Sequence, residues 1–212
     1  MNKILLLIIG ANVIFSYMGF NDINLFNKYK FQVGAVKRGE VIRHISSGFL
    51  HADFSHLLFN MITLYFFAPI VIGTLGVTSF LLIYFASLLL GSLLSFQYHK
   101  NEDYYSAIGA SGAVSGILYA AIMIYPEMTL RLYFAIPIPG WLFAIGYMYY
   151  TIYGMKNQVG NIGHAAHLGG AIAGYLFALF LVPSIVSNHL LFVVLLALPI
   201  LYLLFFEKRF NQ

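Results

Sequence analysis

Two serines interrupt an otherwise oily stretch, Ala107-Ile-Gly-Ala-Ser-Gly-Ala-Val-Ser-Gly-Ile-Leu-Tyr-Ala120. A serine in such a setting either satisfies its own backbone carbonyls or acts as a nucleophile. The second role requires a base within ~2.6 to 3.2 Å. His164 and His167, in a later apolar stretch, supply imidazoles for it. A third polar set, His56 and Asn60 with His51 just ahead, lies upstream. His56 and Asn60 are four residues apart and share a helix face. Both can donate hydrogen bonds without carrying charge, which suits stabilisation of an oxyanion. No Asp or Glu falls in the stretch that holds His167, so a serine mechanism here would be a Ser-His dyad without the usual acid. His51, His56, His164 and His167 also raise metal or haem ligation, but no HExxH and no acidic ligand accompanies them. No metal and no cofactor is expected. The absence of cysteine excludes disulfides, thiolate metal sites and a cysteine nucleophile.

The elements that must carry these residues are membrane spans. Of 212 residues 61% are hydrophobic and 8% charged, against about 25% charged in soluble domains. Apolar windows long enough to cross a bilayer fall at about 4–20, 55–76, 77–97, 108–125, 138–153, 163–182 and 187–206. The expectation is one all-α polytopic membrane domain over 1–212, with a six-helix core to about 182 and a seventh span at the C-terminus. Ionisable groups inside a membrane cost about 2.5 to 3.5 kcal/mol each, so each is a functional candidate. Here the polar sets occupy the second, fourth and sixth windows. Alternate spans enter from the same face. Ser111 and His167 each come about four residues into their windows, roughly 6 Å below that face at 1.5 Å per residue. Gly109, Gly112 and Gly116 in the fourth window, and Gly170 and Gly174 in the sixth, would let the two helices approach closely.

Turn signals separate the windows at Gly73-Thr-Leu-Gly76, Pro126, Pro137-Ile-Pro139-Gly140 and Pro183. The 21–53 segment mixes basic and apolar residues, as either an interfacial structure or a plain solvated loop does. The N-terminal apolar run reads as a span rather than a secretory signal, because no small-x-small cleavage site follows it. A net charge of +4 without any long basic run does not suggest nucleic acid. With the N-terminus inside, nine of the eleven Lys and Arg fall outside, against the positive-inside bias.

At these residues the chain resembles the rhomboid family of intramembrane serine proteases. Gly109-Ala-Ser-Gly112 is similar to its GxSG motif, Ala166-His-Leu-Gly-Gly170 to its AHxxG stretch, and His51 to Asn60 to its HxxxN segment. The matches cover about residues 40–176 in the family's order. The resemblance implies Ser111 as nucleophile and His167 as general base. It places the oxyanion on His56, Asn60 and the Ser111 amide, with the Ala110 amide as a further donor. It implies a site opening to the extracytoplasmic side, transmembrane protein substrates entering between the second and fifth spans, and membrane lipid as the surroundings. Phe59, Trp141 and Phe143 are gate candidates. Oligomeric state is left open. Two positions depart from the pattern: Val41-Ile42-Arg43 lacks the tryptophan before the arginine, and Ser115 stands where many members place an aromatic ring against the histidine. His164, one turn before His167, is a candidate for orienting it instead. The alternative function is a rhomboid-like protein that binds transmembrane segments without cutting them.

Overall fold

The computed structural model describes residues 2–132, 135–160 and 162–206. Helix α1 (Lys3–Asn21) is capped by the Asn2 side chain, which accepts from the Ile4 amide at 2.9 Å. The 21–53 segment is structured: α2 (Ile23–Tyr29), β1 (Phe31–Gln32), α3 (Val33–Lys37), α4 (Arg43–Ser46) and a 3-10 turn (Ser47–Phe49). Asp53 then caps α5 (Phe54–Tyr98) by accepting from the His56 amide at 2.8 Å. Strand β2 (Ser106–Ala107) leads into α6 (Ser111–Ile124), followed by β3 (Thr129–Leu132), β4 (Ile136–Pro139) and α7 (Gly140–Asn157). Helices α8 (His164–Leu181), α9 (Ser184–Asn188) and α10 (Leu190–Phe206) complete the described chain.

The expected all-α architecture is present, with three differences in detail. First, the second and third windows form one 45-residue element, α5, broken only at Gly76 (φ 81, ψ 168). A straight helix of that length would measure about 68 Å, more than twice the ~30 Å hydrocarbon core. Leu57, Leu64 and Val71 before the break and Phe80, Ile83 and Leu88 after it belong to one hydrophobic cluster, so the chain doubles back at Gly76. A single residue in a backbone conformation open mainly to glycine replaces the expected turn. Second, α6 starts at Ser111 rather than at about 108. Ala107 pairs with Phe31 across the β1–β2 ladder and Gly109 has φ 113, so the helix cannot extend back through them. Third, the prolines at 137 and 139 lie in the antiparallel β3–β4 pair, and α7 begins only at Gly140.

Among the described residues three helices, α1, α5 and α8, are long and apolar enough to cross a membrane by length and composition, and α6 and 190–203 of α10 are shorter apolar helices. The core is built where α5, α6 and α8 meet in mutual seams, while α7 leans mainly on α8 and α10. Small residues explain the closeness of α6 and α8. A Cβ added at Gly170 would collide with the Gly112 carbonyl, and one at Gly174 with the Gly116 carbonyl. This is the small-residue helix contact that the two motifs predict.

Candidate active site

Ser111 is the first residue of α6, whose N-terminal amides have no partners within their own helix. Beside it, Gly112 faces α8: a Cβ there would lie 3.3 Å from the carbonyl oxygen of Ala166, the neighbour of His167. The helix positions next to Ser111 and His167 therefore meet backbone to backbone. Ser111, His167, His56 and Asn60 all line one groove of about 1550 Å³. They come from three separate helices, and the fold brings them to a common wall.

His56 stands over the loop that delivers Ser111. A Cβ at Gly109 would lie 2.7 Å from the His56 imidazole and displace it, and the positive φ there itself favours glycine. His56 Nδ1 accepts from the Ala52 amide at 3.4 Å, which leaves the ring proton on Nε2 as a donor. Asn60 is buried and donates from Nδ2 to the His56 carbonyl at 2.9 Å, with its second N–H remaining. The loop is also tied at its start, where the Gly109 amide donates to Ser47 O at 3.0 Å. Behind Ser111 a second cavity of about 30 Å³ is lined in part by Ser47, Ser92 and Ser95, room enough and polar enough for one water.

Two supports of the site are not evident from the sequence. His51 is fully buried; its Nε2 accepts from the Ala110 amide at 3.3 Å and its Nδ1 lies 2.8 Å from Ser16 Oγ. Since Nε2 accepts, Nδ1–H donates to Ser16, whose hydroxyl in turn donates to Phe49 O at 3.0 Å. Helix α1 thus holds the loop that leads into Ser111 through one imidazole. The Ala110 amide, expected as an oxyanion donor, is engaged by His51 instead. Burial, with repulsion from His56, pushes His51 down from its ordinary 6.5 to about 3, and Asp53 only partly opposes this. A neutral ring is what the Ala110 contact needs.

The second support is Tyr147 of α7. His167 Nδ1 lies 2.9 Å from Tyr147 Oη, and the rings are near parallel (20°) with centroids 6.3 Å apart. His164 does not take this role. Its ring sits edge-on, 6.4 Å from that of His167, and its Nε2 donates to Val159 O at 2.9 Å. The missing tryptophan also finds its answer: buried Arg43 donates twice to Glu40 Oε2 (2.8 and 2.7 Å) and from Nη1 to Asn27 O (2.8 Å) and Lys30 O (2.7 Å). The arginine ties the first loop together without a tryptophan, beside the Lys37–Asp103 ion pair and the β1–β2 ladder.

The same groove is lined by Phe59, Thr63, Phe66 and Ile70 of α5, Val114 and Leu118 of α6, Phe143 of α7 and Met128 and Leu130 of the hairpin, with Lys30, Glu102 and Arg131 also on its wall. From His56 to Ile70 is about 21 Å of helix. Of the three gate candidates, Phe59 and Phe143 line it, whereas Trp141 packs partly buried on the core.

A helical bundle with apolar spans and a cluster of Ser, His and Asn at one end defines a multi-pass membrane protein with a polar site. The Rhomboid domain matches residues 38–184, and the chain belongs to the rhomboid family. It is 32% identical over 181 residues to the RHOMBOID-like protein 12, mitochondrial, of Arabidopsis thaliana, covering 78% of this chain and 54% of that protein. It is 32% identical over 146 residues to Rhomboid protein 1, mitochondrial, of Saccharomyces cerevisiae (66% and 42%). It is 33% identical over 147 residues to the Rhomboid protease GluP of Bacillus subtilis (68% and 26%). The chain spans about half or less of the length of these curated relatives.

Proposed function

We propose that this chain is an intramembrane serine endopeptidase that cleaves transmembrane proteins in or near their membrane segments by a Ser111–His167 dyad. The observation that carries the reading is the shared groove, which Ser111, His167, His56 and Asn60 line together with Phe59, Phe66, Leu118 and Phe143. In this mechanism Ser111 Oγ attacks the substrate carbonyl while His167 Nε2 takes its proton. His56 Nε2–H, the free Asn60 N–H and the Ser111 amide receive the oxyanion, aided by the positive end of α6. His167 then passes the proton to the leaving amine. A water, for which the cavity behind Ser111 has room, hydrolyses the acyl-enzyme and restores the serine.

The site opens to the extracytoplasmic face, with the N-terminus inside. The groove between the first limb of α5 and α7 is the entry for a substrate helix, which must expose its backbone before Ser111 can reach it. Small side chains at the cleaved bond and helix-weakening residues nearby are the expected preference. Similarity to a relative named a protease supports the reading. The purified chain in detergent, given a transmembrane substrate, is expected to cleave it, and Ser111→Ala or His167→Ala to abolish cleavage. Undiminished cleavage by either variant would overturn the assignment. Substrate capture without cleavage by the unaltered chain would leave a transmembrane-segment-binding protein. Protease accessibility of Lys37 from the cytoplasmic side would reverse the orientation.

A further inference from the structure

Helices α6, α7 and α8 contain no Asp or Glu, so nothing acidic within them can orient His167. Yet a base must present Nε2 to the serine, which requires that Nδ1 hold the ring proton against some acceptor. We infer that Tyr147 is the positioning residue of His167, a neutral phenol serving where a three-membered serine site uses a carboxylate. This rests on the serine peptidase reading above.

The geometry fits an acceptor role. Tyr147 Oη lies 2.9 Å from His167 Nδ1 and 3.4 Å from Ser115 Oγ. The consistent proton order is His167 Nδ1–H to Tyr147 Oη, and Tyr147 O–H to Ser115 Oγ. That leaves the Nε2 lone pair for the Ser111 proton. When His167 takes that proton, Tyr147 keeps its own and continues to accept from Nδ1, so no second charge has to be buried in the membrane. The phenol is itself held: Phe143, one turn earlier on α7, stacks on it at 5.7 Å and 12°. Its ring also lies nearly parallel to the imidazole.

The same contacts account for Ser115. With the Tyr147 hydroxyl 3.4 Å from Ser115 Oγ, a ring at position 115 would occupy the space Tyr147 uses. The aromatic ring beside the histidine comes from α7 here, and a small hydroxyl residue at 115 is its complement.

The test compares the full chain in detergent with Tyr147→Phe and Tyr147→Ala. Three quantities are read: the rate of Ser111 labelling by a fluorophosphonate, kcat and KM on a transmembrane substrate, and the ¹⁵N imidazole signals of His167, assigned with His167→Ala. Tyr147→Phe keeps the stacking and removes only the acceptor. It is expected to slow labelling and kcat about tenfold, the order of one hydrogen bond. KM and thermal unfolding should hold. His167 should change from a single Nδ1–H tautomer to a mixture. Tyr147→Ala should fall further, and if it does not fold, the phenylalanine variant decides alone. Unchanged labelling together with an unchanged His167 tautomer in Tyr147→Phe overturns the proposal. If the unaltered chain neither labels nor cleaves, the peptidase reading fails, while the tautomer comparison still decides whether Tyr147 sets the ring.

Discussion

The two sides of α6 are built on opposite terms. Toward α8, glycines bring the backbones together at Gly112–Gly170 and Gly116–Gly174, with no room for a methyl at either. Toward the first limb of α5 and α7, large side chains such as Phe59, Phe66 and Phe143 surround an open groove. In a bilayer neither seam is closed by the hydrophobic effect, because lipid tails are as apolar as the side chains. Close contact has to come from shape, and it is present between the helices that carry Ser111 and His167. The side left loose is the one proposed above as the entry for a substrate helix.

Adding one side chain to the closed seam should have the largest effect. Gly170→Val drives a Cβ into the Gly112 carbonyl, and backbone on both sides leaves no rotamer by which to yield. A loss of at least about 3 kcal/mol is expected, seen as a collapse of folded yield, thermal stability and Ser111 labelling together. A methyl at Gly146 of α7 would meet no heavy atom within 4 Å, so Gly146→Ala should be nearly silent in the same measurements.

Acid should act next, on the joint that ties the loop before Ser111 to α1. Above about pH 6.5 the folded and unfolded chains both carry a neutral His51. Below it the unfolded chain binds a proton that the folded chain refuses until about pH 3. Stability from this group is therefore complete above 6.5 and falls as the pH drops toward 3. Thermal unfolding followed from neutral pH downward should show that decline, and His51→Gln should flatten it.

The smallest effect on stability belongs to the open side. Phe66 is 59% exposed and lines the groove. Phe66→Ala should change unfolding by no more than about 0.5 kcal/mol and leave fluorophosphonate labelling intact, while altering KM for a transmembrane substrate. A change in labelling instead would show that the groove wall also shapes the dyad.

How much is legible in the sequence follows from separation along the chain. Ser111, His167, His56 and Asn60 are readable because polar residues in apolar windows stand out, and because span parity puts three windows at one face. The α6–α8 seam is readable from glycines at helical spacing. Tyr147 is not, since it sits among Tyr149, Tyr150 and Tyr153 on an apolar helix with nothing local to distinguish it. The link between Ser16, His51 and Ala110 is not, because it joins three segments whose relative placement no periodicity encodes. The Gly76 reversal lies between these cases: glycines mark a break there, but not that one residue suffices.

By itself the sequence determined the all-α membrane architecture, the helices that carry the polar groups, and the residue types available for chemistry. Each of these depends on composition or on spacing within one helix, where side-chain direction follows from the helical repeat. The tertiary structure alone decided which atom holds which: Tyr147 on His167, His51 on the Ala110 amide, Arg43 on the first loop. Hydrogen bonds act over about 3 Å, so partners far apart in the chain acquire them only when packing has brought their helices together.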